Sequence, residues 1–235
     1  MLVCITALGY QARYLEIDAS AETLLLEDDK DLEYTRLINQ RYHTPDFLVI
    51  SYTPQKDLLA EESLETIREM SRDLEKLELV ESVTSILNVP LLESPPKPLA
   101  ELLEDVPTLE SADIDMKLAR EEFLNSPIYR DNLVSADFKT TGLIVNLHND
   151  QRNRELRDQR DMLRRREKSG TLSAEETAQY EYVKIEYKAH RDMMRSVESE
   201  NIDQIRAILN KYRGNDQLFL GGPVSYTHLT LPTKA

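Results

Sequence analysis

The residue types that most often carry chemistry are sparse and scattered in this chain. Its four histidines are His43, His148, His190 and His228. None forms the HxxxH or HExxH pair that would set two ligands on one helix face around a metal. Each reads as a surface or core histidine. Cys4 is the single cysteine, so no intramolecular disulfide and no CxxC metal or redox pair can form. The sequence holds no GxGxxG, GxxxxGK(S/T) or GxSxG, which removes the phosphate-cradling loops and the nucleophile elbow. Glu27, Asp28, Asp29 and Asp31 gather the oxygen donors that calcium prefers. An EF-hand loop, however, needs ligands alternating about a central glycine, and the run reads as a solvated charge cluster. Arg164, Arg165 and Arg166 could meet phosphates, but Glu155, Asp158, Asp161 and Glu167 interleave with them at intrahelical pairing distance, so a salt-bridged helix is expected. Tyr180 and Tyr187 read as the seam of a helical hairpin rather than a ligand box. No catalytic, metal or cofactor constellation emerges, and the chain is not expected to be an enzyme.

The bulk composition narrows the partners. With 235 residues, 40% hydrophobic and 31% charged, the chain can bury a core of ordinary size. Its formal charge of -14 argues against nucleic acid, because neutralising phosphates needs a basic face. It argues equally against unassisted docking on anionic lipid headgroups. Six glycines and no tryptophan make a glycine-rich all-β architecture improbable.

Several elements must organise these residues. Residues 47–53 (FLVISYT) form a compact apolar, β-branched and aromatic run between Pro45 and Pro54, a buried strand. Leu64, Ile67, Met70 or Ser71, Leu74 and Leu77 then recur at helical spacing, with Ser63 or an earlier acidic residue at the start. Residues 80–89 (VESVTSILNV) give a second strand, ended by Pro90. Pro90, Pro95, Pro96, Pro98 and Pro107 break regular structure, leaving room for one short helix around residues 99–104. Residues 114–124 read as an amphipathic helix stopped before Pro127. Residues 138–147 (FKTTGLIVNL) read as a third strand with Gly142 a bulge or point of close approach.

From residue 150 to 212 the pattern is helical. A break at Ser169 and Gly170 precedes Ser173 and Glu176, spaced as a capping box. Tyr180, Val183, Tyr187, His190 or Arg191, and Met194 make one apolar seam, so a helical hairpin is expected. Ile202, Ile205, Ile208, Leu209 and Tyr212 continue a helix that ends at Gly214, and residues 217–220 (QLFL) form a fourth strand. The resulting fold class is α+β. It is a ferredoxin-like split βαβ domain with a proline-rich loop insertion and a protruding hairpin insertion at about residues 150–198.

The two ends differ from this body. Residues 1–10 (MLVCITALGY) are apolar and uncharged, yet a bilayer span takes about 20 such residues. Tyr10, Arg13 and Tyr14 follow, the mixture found where a helix leaves the membrane. The run is expected to be the end of a truncated first transmembrane helix, against the plainer alternative of a core strand or helix. Residues 225–235 (SYTHLTLPTKA) show no periodicity and look like adaptor- or vector-derived sequence, which leaves His228 and Lys234 without a role.

Four short stretches in order carry a resemblance. They are DASAE at 18–22 followed by LLLEDD at 24–29 and Leu32; PIY at 127–129 with NLVSAD at 132–137; KTTGLIV at 139–145; and LGGPV at 220–224. Together with the strand at 47–52 they resemble the RND superfamily of exporters, nearest its hydrophobe/amphiphile efflux, MMPL-like branch. The matching motif positions are Asp18, Glu22, Asp28, Pro127, Tyr129, Ser135, Asp137, Gly222 and Pro223, and they are expected to be structural. The resemblance spans residues 1–224 and implies that residues 11–224 are the first periplasmic porter domain of a proton-driven exporter in the bacterial inner membrane. The implied partners are the transporter's own membrane helices, a second porter domain and a hydrophobic or amphiphilic, lipid-like cargo. The hairpin is longer than the family pattern suggests and reads as a contact for a partner protein or neighbouring subunit. Two contrasting readings are an extracytoplasmic sensor domain of a membrane receptor and a helical-hairpin interaction scaffold.

Overall fold

A computed structural model of the chain describes Tyr34 and residues 46–94, 106–112 and 114–222. The chain divides into two units, Met1–Thr44 and Pro45–Ala235, and the fold below is that of the second. The expectations placed on residues 1–10, on Asp18, Glu22 and Asp28, on the acidic run at 27–31, on the short helix at 99–104, on Pro223 and on the tail at 225–235 lie outside the described residues.

The described part of the second unit is α+β. Its four strands are β1 (Phe47–Thr53), β2 (Val80–Thr84), β3 (Thr141–Leu147) and β4 (Gln217–Gly221). Four helices accompany them among the described residues: α1 (Glu61–Leu74), α2 (Met116–Asn125), α3 (Gln151–Lys168) and α4 (Ala174–Arg213). The sheet order is β2-β3-β1-β4 and every neighbouring pair is antiparallel. Strand side chains alternate between faces, and β1 and β3 alternate strictly between buried and half-buried. The buried set is Leu48, Ile50 and Tyr52 with Leu143, Val145 and Leu147.

The buried set joins one continuous core. From α1 come Leu64, Ile67, Met70 and Leu74; Ile205 and Leu209 come from the end of α4; and Leu218 comes from β4. Burying one such aliphatic side chain stabilises the fold by about 1.5–3 kcal/mol, so the helices are fixed on this face by packing more than by propensity. The helical spacing read from Leu64 to Leu74 is thus borne out. Of the two starts read from the sequence, the earlier acidic residue holds: α1 opens at Glu61, after Ala60, which makes no side-chain cap. Ser63 is buried and its hydroxyl donates to the Asp57 carbonyl at 2.8 Å.

Two strands are shorter than their apolar runs suggest. The second ends at Thr84 because Asn88 turns the chain: its Oδ1 accepts from the Ser85 N–H at 2.8 Å and its amide donates to the Val83 carbonyl at 2.7 Å. Ile86 and Leu87 stay buried, but in that turn. The third begins at Thr141 because Phe138 sits at φ 55° inside a tight loop. Gly142 is no bulge, since it pairs in register with Ser51 and a Cβ there would meet only ordinary contacts at 3.8 Å or more. The register shift falls in β2, between Val80 and Ser82.

The hairpin forms as the spacing predicts. Asp150 caps α3 by accepting from the Asn153 N–H at 2.8 Å. Ser173 and Glu176 make both halves of the capping box that opens α4. At 40 residues α4 is roughly 60 Å long, and it serves two purposes. Tyr180 and Val183 close with Leu163 of α3 into a small apolar cluster separate from the main core, while Ile205 and Leu209 belong to the sheet.

Candidate functional site

Pro127, Tyr129, Ser135 and Asp137 all lie in the connection from α2 to β3, and the structure gathers them into one loop. Ser126 ends α2, and Asn132 donates its amide to the Pro127 and Ile128 carbonyls at 3.3 and 3.2 Å. Tyr129 is buried against Phe123, ring centres 5.4 Å apart, and donates its hydroxyl to the Pro90 carbonyl. That burial holds its phenol above the usual pKa. Ser135 donates to Asp137 at 2.7 Å and accepts the Lys139 and Thr140 N–H groups at 3.1 and 3.0 Å. The Ser135 hydroxyl and the Lys139 N–H together hold the Asp137 carboxyl below the usual carboxylate range. These positions therefore build a turn. Each oxygen is committed to backbone or to a neighbour in the loop, and none is poised for proton transfer.

Two residues of α2 outside the expected set make tertiary ties, Arg120 to this loop and Glu122 to the segment after β2. Arg120 stacks its guanidinium 4.5 Å over the Phe138 ring and donates to Asp57 at 2.5 Å. Asp57 is held below its ordinary pKa first by the Leu59 N–H and then by Arg120. Glu122 is buried and accepts the Leu92 and Glu93 N–H groups at 2.6 and 3.0 Å, tying α2 to the segment after β2. A charged residue in an amphipathic helix normally signals the solvent face, so no sequence pattern marks this one. Gly222 ends β4 at φ 127°, where a Cβ would stand 3.1 Å from Leu48 Cα and from the Phe47 carbonyl oxygen. Only glycine fits that close approach.

The second face of the sheet is apolar at its centre. Val49 lies between Ile144 and Gly221, and Ser51 between Gly142 and Phe219. Phe47, Val49 and Ile144 are half-buried and Phe219 is 64% exposed. A polar rim surrounds them: Asn146 donates to Ser82 and Thr84 at 3.1 and 3.3 Å, and Thr53 bonds Thr140 at 2.7 Å. An apolar centre with a satisfied polar border suits a hydrophobic or amphiphilic partner.

At the hairpin base His190 Nε2 meets Asp150 Oδ2 at 2.7 Å. Glu198 nearby is raised above the usual carboxylate range, first by burial and then by Asp46 and Asp150, against Arg195. Among the described residues no group of histidine, cysteine, aspartate or glutamate is placed to hold a metal, and no helix is long and apolar enough to cross a membrane. No protein family, curated protein or solved structure matches this chain.

Proposed function

We propose that the second unit is the extracytoplasmic porter domain of a proton-driven, RND-type exporter, presenting its half-buried sheet face to hydrophobic or amphiphilic cargo. What supports this reading is the sheet order β2-β3-β1-β4, antiparallel throughout. That is the order of a ferredoxin-like split βαβ domain, with the proline-rich segment and the hairpin as insertions. In this reading α1 is the first crossover and the end of α4 the second. The loop from Pro127 to Asp137 fixes the edge of the sheet. Membrane helices outside residues 45–222 move the protons, and the domain, on the periplasmic side of the inner membrane, contributes shape and an apolar surface rather than catalysis.

Binding of a fluorescent long-chain fatty acid to the 235-residue chain tests the cargo face. Saturable binding is expected, weakened about tenfold, or ~1.4 kcal/mol, by Phe219→Ser and again by Ile144→Thr. Absence of saturable binding, or binding indifferent to both substitutions, contradicts the assignment.

A further inference from the structure

The second face of the sheet holds no charge at any paired position. Side chains alternate between faces along a strand, and residues paired across strands share a face. The register therefore sets the rows of this face, from Ser82, Asn146 and Phe47 at one end to Thr53 and Gln217 at the other. None of the residues in these rows is Asp, Glu, Lys, Arg or His, in a chain of which 31% is charged. A solvated sheet face is where a chain ordinarily places its charges.

The charged residues that flank the face are engaged elsewhere or sit at its margin. Asp46, just before Phe47, lies on the α4 side, where its charge reaches Glu198. Lys139 pairs with Asp137 at 3.8 Å, and Asp216 accepts from the Tyr52 hydroxyl and the Gln55 N–H, each at 2.9 Å. Glu81, the extra residue at the register shift in β2, is exposed at the margin. A single exposed carboxylate of that kind holds a cation only weakly.

Hydrogen-bonding groups without charge gather on β2 and β3. Asn146 Nδ2 donates to the Ser82 and Thr84 hydroxyl oxygens at 3.1 and 3.3 Å, which uses both amide hydrogens. Each hydroxyl keeps its own hydrogen to donate, and Asn146 Oδ1 keeps its lone pairs. Donors beside an acceptor suit a head that both gives and takes hydrogen bonds. A carboxylate only accepts. It would meet the Asn146 oxygen and Glu81 with no cation to replace the water it loses.

We propose that the cargo of this face is an uncharged amphiphile, an acyl chain carrying a glycerol-like head of hydroxyl and ester groups; this rests on the reading of the face as the cargo surface. The head sits at Ser82, Thr84 and Asn146. The chain crosses the strands over Ile144 and Val49 to Phe219, which is 64% exposed. Strands about 4.8 Å apart place β4 roughly 14 Å from β2, the reach of a lauroyl chain.

Calorimetric titration of the 235-residue chain with lauroylglycerol, laurate and dodecyltrimethylammonium, each below its critical micelle concentration, tests the head. Lauroylglycerol is expected to bind about tenfold tighter than either ion, at low and at high salt alike. Salt screens the long-range repulsion from the net charge of -14 but does not supply a missing local counter-ion. Ser82→Lys is expected to tighten laurate about tenfold and to weaken dodecyltrimethylammonium. Circular dichroism should stay at the parent value, since Ser82 is exposed. Laurate or dodecyltrimethylammonium binding as tightly as lauroylglycerol, a preference that vanishes at high salt, or laurate binding that Ser82→Lys leaves unchanged overturns the uncharged head and leaves the cargo face standing. Saturable binding of none of the three overturns both.

Discussion

Single residues in this domain act mainly by holding turns and helix ends in place. Gly222 combines a positive φ with backbone atoms 3.1 Å from the missing Cβ. Gly222→Ala is expected to cost about 1–3 kcal/mol, read as a lower urea midpoint, and an unchanged midpoint would contradict the close approach. Glu122 is the buried acceptor for two N–H groups. Glu122→Ala leaves both without their acceptor and is expected to cost about 2–3 kcal/mol, with Glu122→Gln intermediate.

Tyr52 gives a pH signature at the same scale. Burial, then its hydrogen bond to Asp216 at 2.9 Å, push the phenol up to about 12 from 10.0. A group whose pKa is raised by folding stabilises the fold fully below its unfolded pKa, and that contribution fades as pH rises through the folded value. Stability linked to Tyr52 should therefore be intact below about pH 10 and lost towards pH 12. Ultraviolet titration should show one late tyrosine that Tyr52→Phe removes; if every tyrosine titrates together, the buried hydrogen bond is not formed. Of these three residues only Gly222 could be singled out from the sequence, because glycine before proline at a strand end announces a special backbone. Glu122 and Tyr52 depend on what lies across the core, which no local pattern encodes.

At the scale of elements, packing decides where patterns stop. The helical period of α1 and the apolar, β-branched run of β1 are local properties, and both were legible in the sequence. The ends of β2 and β3 were not, because they are set by side-chain hydrogen bonds of Asn88 and Ser135 that compete with the sheet ladder. Ile86 and Leu87 show why the apolar run misled: a buried turn and a buried strand use the same residues. The hairpin was legible because its start is written chemically, in Ser173 and Glu176. Ser173→Ala is expected to lower stability by about 1 kcal/mol, seen as earlier thermal loss of helical dichroism. A larger share of the loss should fall in the hairpin than in the sheet, since their apolar clusters are separate. Equal hydrogen-exchange losses in both would contradict that separation.

For the whole molecule, the charge of -14 leaves no net basic face with which to neutralise phosphates. The α+β class and the succession of strands and helices along the chain could be read, because most elements carry their own local periodicity. The half-buried sheet face could not, since a strand's second face looks like ordinary surface until the first is packed. Sequencing the intact gene on both sides of the 235 residues tests the proposed exporter assignment most directly. A complete apolar span of about 20 residues upstream, with several spans and a second domain of the same strand order downstream, is the expected result. A single upstream span followed by a soluble signalling module would contradict it.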